Sequence, residues 1–161
     1  MLKLFDEKKA NILIIDVREN GGGNNFLIRS FVDKIEAHER VNREGNLFLI
    51  TGRHTFSAAM DFSTGVEQRT KVLIVGEPGG SRPNSYGDAK SHLLPNSNIT
   101  VRLSTIYWQD STPDDARLMI LPDIEAPPTF AHYTEKRDPA LEAIFRYRCQ
   151  DSLEMSPSLT H

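Results

Sequence analysis

Residues 12–24 read Ile-Leu-Ile-Ile-Asp-Val-Arg-Glu-Asn-Gly-Gly-Gly-Asn, and two features of this segment bear on the fold. Its first part, Ile12 to Val17, is short, almost continuously apolar and rich in β-branched residues, which is typical of a strand buried on both faces. Its second part, Asn20 to Asn25, contains three consecutive glycines, so no regular element can persist there. The segment therefore predicts a buried strand that ends in a glycine-rich turn.

Beyond this segment the apolar residues follow helix-like and strand-like spacings in turn. Leu27 to Ile35 carries apolar residues at helical spacing, and Leu47 to Ile50 is a second apolar strand. A second helix is predicted to begin near Ser57, and Lys71 to Gly76 has the composition of a third buried strand. This order of strands and helices predicts an α/β fold with a mainly parallel sheet.

The second half of the chain gives weaker signals. Residues 77–98 are rich in Gly and Pro and are predicted to form a long irregular segment, a kind of loop that is usually functional or disordered. Ile99 to Trp108 begins with alternating apolar residues, which predicts a half-exposed strand. Asp138 and Pro139 are a favourable N-cap and first residue for a last helix.

The composition is that of one ordinary soluble domain: 161 residues, 39% hydrophobic, 25% charged, with a formal net charge of −3. We expect a core over residues 1–148 and a disordered tail over residues 149–161. No apolar run approaches the ~20 residues of a membrane span, and no secretory signal is visible. The slight acidity disfavours a nucleic-acid partner. The single Cys149 excludes an internal disulfide and a cysteine-based zinc site.

Three loops that follow predicted strands are candidates for a functional site. Gly21 to Gly23 would let the backbone approach a ligand closely and direct its N–H groups at an anion. Ser57 opens a helix, where the N–H of Ala58 could stabilise a developing oxyanion. Arg82 lies in the loop after the third strand. Because ligands of open α/β sheets bind at the carboxyl ends of strands, we expect these loops to converge.

Each candidate also has a purely structural interpretation, which the local sequence leaves open. The glycines could form only a tight turn, and Ser57 or Thr55 could serve as the N-cap of the helix. Arg82 could be a surface charge or a salt-bridge partner. His54 is close enough to Ser57 in sequence to reach it, but we expect it to face solvent, and no histidine pair has metal-ligand spacing.

Taken in order, these segments resemble the tail-specific, or C-terminal processing, serine peptidase family and its tricorn-core relatives. The resemblance covers roughly residues 8–146. The segments that match the family's motifs are Ile14–Asn24, Thr55–Ala59, Val75–Pro78 with Arg82, Leu94–Ser97, Pro122–Ile124 and Asp138–Leu141.

The resemblance implies a ClpP/crotonase-like α/β core of strand–strand–helix units that acts as an endopeptidase. Ser57 would be the nucleophile that forms the acyl-enzyme. The N–H groups of Gly22 and Ala58 would form the oxyanion hole. The resemblance further implies a peptide or protein substrate and no metal or organic cofactor, and it leaves a homo-oligomer open.

The sequence departs from the family at positions that matter for catalysis. The family's general-base lysine falls on Arg82, which stays protonated and cannot act as a base. Its supporting glutamine falls on Tyr86, and a threonine of the motif falls on Gly79. We therefore expect Arg82 to bind a substrate carboxylate and assign Gly23 and Tyr86 to substrate binding.

Two interpretations follow from these departures. The first is the catalytic core of a longer peptidase-like protein, whose base lies in an N-terminal part that precedes this segment. The second is a catalytically inactive homologue that binds peptides or small ligands without cleaving them. We favour the first because Ser57 and the glycine loop are both retained. Related peptidases are often exported or in the cell envelope, but the sequence leaves the compartment open.

Overall fold

A parallel sheet of four strands forms the centre of the molecule, which the computed structural model describes over residues 1–154, with side chains through residue 150. The strands are β1 (Leu13–Asp16), β2 (Leu47–Thr51), β3 (Leu73–Gly76) and, later in the chain, β6 (Ile124–Glu125). They lie in the order β1-β2-β3-β6, and each neighbouring pair is parallel. The predicted α/β class with a mainly parallel sheet is confirmed.

Helices cover both faces of this sheet. They are α1 (Leu2–Glu7), α2 (Arg29–Glu36) after a 3-10 turn at Asn25–Leu27, α3 (Ala58–Arg69), α4 (Phe130–Thr134) and α5 (Pro139–Glu154). In the described part of the chain, no helix is both long and apolar enough to span a membrane.

Strand β2 shows why the sheet needs cover on both sides. Leu47 and Leu49 pack into one core with residues of α2 and α3, whereas Phe48 and Ile50 pack into a second core with α5. Every residue of β2 is buried. Because side chains alternate along a strand, a continuous apolar run is what a strand between two helical layers requires.

The last helix begins as predicted but ends later. Asp138 is its N-cap, and its Oδ1 atom accepts hydrogen bonds from the amides of Ala140 and Leu141 at 3.0 and 3.1 Å. The helix continues to Glu154, so residues 149–154, the first part of the predicted tail, are helical. The rest of the predicted tail, residues 155–161, lies outside the described residues.

A long antiparallel hairpin corrects the prediction for residues 77–98. Strand β4 (Asn84–Leu93) pairs with β5 (Thr100–Gln109) along its whole length, so only residues 77–83 and the turn between the strands are irregular. Most side chains of β4 are exposed, so it lacks the apolar alternation by which strands are recognised. Strand β5 corresponds to the predicted half-exposed strand, and its backbone pairing holds β4 in place.

Candidate functional site

Ser57 sits in a strained junction between the loop after β2 and helix α3. Its backbone angles, φ 53° and ψ −130°, are rare for a residue with a side chain and cost about 1–3 kcal/mol. The Ser57 side chain is exposed, makes no capping hydrogen bond and has no other partner among the described residues. The N-cap interpretation of its hydroxyl is therefore wrong. A strained strand-to-helix turn that presents a serine hydroxyl is the local geometry of nucleophile elbows.

Thr55 has a structural role, although it does not cap helix α3. Its buried hydroxyl donates to the carbonyl of Val17 at 2.8 Å and accepts from the amide of Gly52 at 3.0 Å. One residue later, the amide of Phe56 donates to the carbonyl of Asn20 at 3.1 Å. These bonds fix the loop before Ser57 against the end of β1 and the glycine loop.

Gly22 lies directly against Ser57, so the first two predicted loops do converge. A Cβ atom at Gly22 would be 2.7 Å from the Cβ of Ser57 and 3.1 Å from the amide nitrogen of Ala58. The φ of Gly22 is +112°, which side chains rarely adopt. Only glycine fits here, because its backbone lies directly beside the Cβ of Ser57.

The two predicted oxyanion donors differ in their availability. The amide of Ala58, at the start of a twelve-residue helix, has no acceptor among the described residues. The amide of Gly22 donates to the side-chain oxygen of Asn20 at 3.0 Å. An oxyanion at Ser57 therefore finds one free donor, and the second is released only when the Gly22–Asn20 bond opens.

The pocket that contains Ser57 has a volume of about 360 Å³ and two walls. One wall is the glycine-loop segment from Gly23 to Phe26, and the other consists of Asp88 and Trp108 from the hairpin. The indole N–H of Trp108 donates to Oδ2 of Asp88 at 2.7 Å. Asp88 has a φ of 52° and is the one titratable side chain that lines this pocket. Asp88 is not recognisable from the sequence, because most side chains of β4 are exposed and residues 77–98 therefore resemble a loop.

A second pocket, of about 460 Å³, is lined in part by Gly22 and Ala58. Its apolar lining includes Leu27, and the rings of Phe31 and Phe62 stack in it at 5.6 Å. A concave site with a mainly apolar lining suits an apolar side chain of a ligand.

The third predicted loop also meets the serine loop. The amide of Gly80 donates to the carbonyl of Thr55 at 2.9 Å. A Cβ atom at Gly79 would be 2.3 Å from the sulfur of Met60. Because Met60 of α3 fills the space of a side chain, glycine rather than the threonine of the family motif stands at position 79.

Other predicted residues lie away from the Ser57 pocket. Arg82 is exposed, lines no part of that pocket and has no ion pair among the described residues. Tyr86 is 66% exposed and packs on Tyr107 across the hairpin, with ring centres 5.0 Å apart. Their assigned contacts with a substrate stay predictions.

His54 belongs to a different cleft, as its predicted exposure suggests. Its Nδ1 atom is 2.8 Å from the carboxylate of Glu19, and both side chains are exposed. The two line a cleft of about 1010 Å³ at the carboxyl ends of the strands. Among residues 1–150, no three His, Cys, Asp or Glu side chains are grouped so that they could hold a metal ion.

Fold and site together define an α/β domain with a strained serine at a strand-to-helix turn, placed against a glycine loop. Solved structures of peptidases share this fold. A candidate S41 protease from Bacteroides fragilis NCTC 9343 has a TM-score of 0.58 at 15% identity, over 89% of this chain and 46% of its own. A candidate peptidase from Parabacteroides merdae ATCC 43184 has a TM-score of 0.61 at 21% identity, over 87% of this chain and 52% of its own.

The photosystem II D1 C-terminal processing protease is also similar, with a TM-score of 0.52 at 18% identity, over 90% of this chain and 40% of its own. The chain thus spans about half the length of these proteins or less. No protein-family model and no curated protein matches the sequence. The predicted resemblance to C-terminal processing peptidases is confirmed at the level of the fold.

Proposed function

We propose that this chain is a serine peptidase-like domain of the tail-specific type, with a ClpP/crotonase-like core, that hydrolyses peptide bonds through an acyl-enzyme on Ser57. The observation that carries the proposal is the contact between Gly22 and the strained, exposed Ser57. A glycine backbone in van der Waals contact with a serine at a helix start supplies the two elements that acyl transfer needs, a nucleophile and amide donors beside it.

In the proposed reaction, Oγ of Ser57 gives up its proton and attacks the carbonyl carbon of a peptide bond, which forms a tetrahedral oxyanion. The oxyanion collapses to the acyl-enzyme as the C–N bond breaks and the amine leaves with that proton, and water then hydrolyses the ester. The oxyanion is stabilised first by the free amide of Ala58 and then by Gly22, whose amide exchanges its bond with Asn20 for the new anion. A donor of this kind contributes about 3 kcal/mol of transition-state stabilisation. An apolar residue of the peptide enters the adjoining pocket around Phe31 and Phe62.

Asp88 is the residue that we assign to accept the proton from Ser57 Oγ. Arg82 cannot do so, because a guanidinium stays protonated, and His54 lines another cleft. The bond from Trp108 orients the Asp88 carboxylate in the same pocket as Ser57. Asp88→Asn keeps an oxygen that accepts from Trp108 but removes the base, so we expect at least a hundredfold slower acylation with unchanged stability.

The experiment that tests the proposal is labelling with a fluorophosphonate probe, followed by mass spectrometry of the modified peptide. We expect one adduct, on Ser57, and none in Ser57→Ala. Ser63→Ala is the control, since its hydroxyl is buried and donates to the carbonyl of Ala59. Labelling elsewhere, or none on the folded protein, would contradict the proposal.

The closed Gly22–Asn20 bond and the arginine at the lysine position favour a second candidate, an inactive homologue that binds peptides or small ligands. This candidate predicts that a peptide with an apolar residue binds near Phe62 and is recovered intact. Wild type and Ser57→Ala would then bind it equally, and no probe would label Ser57.

A further inference from the structure

The carboxyl groups of Asp61 and Asp110 line one small cavity, which shares Asn25 and Trp108 with the Ser57 pocket. Asp61 lies one turn after Ser57 on α3 and is only 9% exposed. Asp110 follows the last residue of β5 and lies two positions after Trp108. The two carboxyl groups are within hydrogen-bond reach of each other. The Oδ2 atom of Asp110 is buried, and no N–H or O–H donor of the described residues reaches it.

The surroundings do not neutralise this pair. The Asn25 side-chain amide donates to Oδ2 of Asp61 at 2.5 Å, which leaves the carboxyl–carboxyl contact itself without a donor. Arg29 of α2 acts on Asp110 only through its charge. Arg69 of α3 lines the same small cavity, of about 210 Å³, but is bound to acidic residues of α2. No salt bridge to either carboxylate exists in the described part of the chain.

Two ionised carboxylates are acceptors only, so they cannot hydrogen-bond to each other unless one of them holds a proton. We propose that Asp61 and Asp110 are positioning residues that share one proton and thereby fix the base of the hairpin against α3 and the glycine loop. The pair connects three elements around Ser57: Asn25 follows the glycine loop, Asp61 belongs to the helix that Ser57 begins, and Asp110 continues the strand of Trp108.

The electrostatics agree with a shared proton. Burial, and then the charge of Asp110, raise the pKa of Asp61 to about 7, and burial raises the pKa of Asp110 as well. The folded protein therefore keeps a proton that the unfolded chain releases near pH 4. The stabilisation that the shared proton contributes is fully present below that pH, is lost as the pH rises to about 7, and is absent above it.

The test compares the urea-unfolding equilibrium of the wild type and Asp110→Asn between pH 5 and pH 8.5. The asparagine amide replaces the shared proton with a permanent N–H donor. We expect the unfolding constant of the wild type to rise at least tenfold over this range and that of Asp110→Asn to stay nearly constant. The variant should be the more stable protein at pH 8. Asp114→Asn, an exposed acid in the same loop, should follow the wild type.

Equal pH slopes in the wild type and Asp110→Asn, or a variant less stable than the wild type at pH 8, would overturn the shared proton. If Asp110→Asn does not fold, Asp61→Asn provides the same comparison, because its amide can still accept from Asn25 and donate to Asp110.

The positioning role rests on the proposed function and has its own measurement, the pH profile of fluorophosphonate labelling. We expect the rate at Ser57 to fall at least threefold between pH 6.5 and 8.5 relative to Asp110→Asn. Identical profiles would reject the positioning role. A complete lack of labelling in both proteins would reject the proposed peptidase activity instead, and the unfolding data would still decide whether the proton is shared.

Discussion

At the scale of single residues, the site depends on backbone conformation more than on side-chain identity. Ser57 has a positive φ that no side-chain bond compensates, and Gly22 has one that only glycine accepts easily. Residues in such conformations persist only where the surrounding structure determines them. Here the determining contacts are the hydrogen bonds of Thr55 and Phe56, the two residues that precede Ser57.

Gly22→Ala tests this contact directly. The new methyl group would be 2.7 Å from the Cβ of Ser57, in a strained backbone conformation, so we expect about 2 kcal/mol or more of lost stability and loss of probe labelling. Gly21→Ala is the matched control, because no atom lies within 4 Å of a Cβ there. Urea unfolding and labelling measure both. Equal effects of the two substitutions would mean that Gly22 and Ser57 are not in contact.

At the scale of elements, Arg18 joins the end of β1 to the start of α5. Its guanidinium donates to the carboxylate of Asp16 and, at 2.7 and 3.1 Å, to the two oxygens of Asp138. Burial raises the pKa of both acids, but the hydrogen bonds from Arg18 outweigh it and hold both pKa values below their ordinary range. The N-cap of α5 is thereby charged and fixed in position at neutral pH.

Arg18→Met should therefore destabilise the protein at pH 7 by about 1–2 kcal/mol, a value that allows for partial solvent screening. Since the folded pKa values are depressed, this stabilisation is present above pH ~4 and is lost as the pH falls through them. Unfolding free energies at pH 7 and pH 3 measure the difference, which should shrink at pH 3. Arg53→Met removes a single ion pair, with Glu77, whose arginine side chain is 81% exposed, and should cost less. An equal loss of unfolding free energy at pH 7 and pH 3 would contradict the stabilising role of these ion pairs.

The hairpin of β4 and β5 is an element of a different kind. It pairs along ten residues per strand, and most of its side chains are exposed. A two-stranded ribbon is marginal in water by itself, so its base must be held by the body of the protein. The contacts of Asp88, Trp108 and Asp110 lie at that base, which is why they border the Ser57 pocket.

At the scale of the whole molecule, stability depends on two apolar cores separated by the sheet. Ile144 of α5 is fully buried in the second core with Phe48 and Val75. Ile144→Ala should cost about 2–4 kcal/mol, because it leaves a cavity on the face opposite Ser57. Phe145→Ala, whose ring is 54% exposed, should cost less than about 1 kcal/mol. Urea unfolding measures both substitutions. A larger loss of unfolding free energy for Phe145→Ala than for Ile144→Ala would contradict the assignment of Ile144 to the core.

Ile144→Ala should also leave the labelling rate of Ser57 unchanged wherever the protein is folded. Ser57 and Gly22 are attached to the opposite core, through α3 and the end of β1. A slower rate in fully folded Ile144→Ala would show that the two faces of the sheet are coupled.

The parallel sheet, the glycine turn and the place of Ser57 at a helix start could all be predicted from the amino-acid sequence. Each of these follows from a local signal. Strands β1, β2 and β3 are continuous apolar runs, and the glycines follow the first of them. The resemblance that singles out Ser57 rests on short contiguous motifs. The signal for the start of α5 is equally local, because the Asp138 side chain accepts from the amides two and three residues further along the chain.

The residues that surround Ser57 could not be predicted in this way, because they come from distant elements. Strand β4 carries little apolar pattern and exists because β5 pairs with it. Asp88 reaches the pocket through a positive φ, and Asp61 meets Asp110 across 49 positions of the chain, whereas Arg82, placed by motif, stays on the surface. Local patterns record which residues are buried along one element. They do not record which polar groups of distant elements meet, because that depends on strand pairing and on packing between layers.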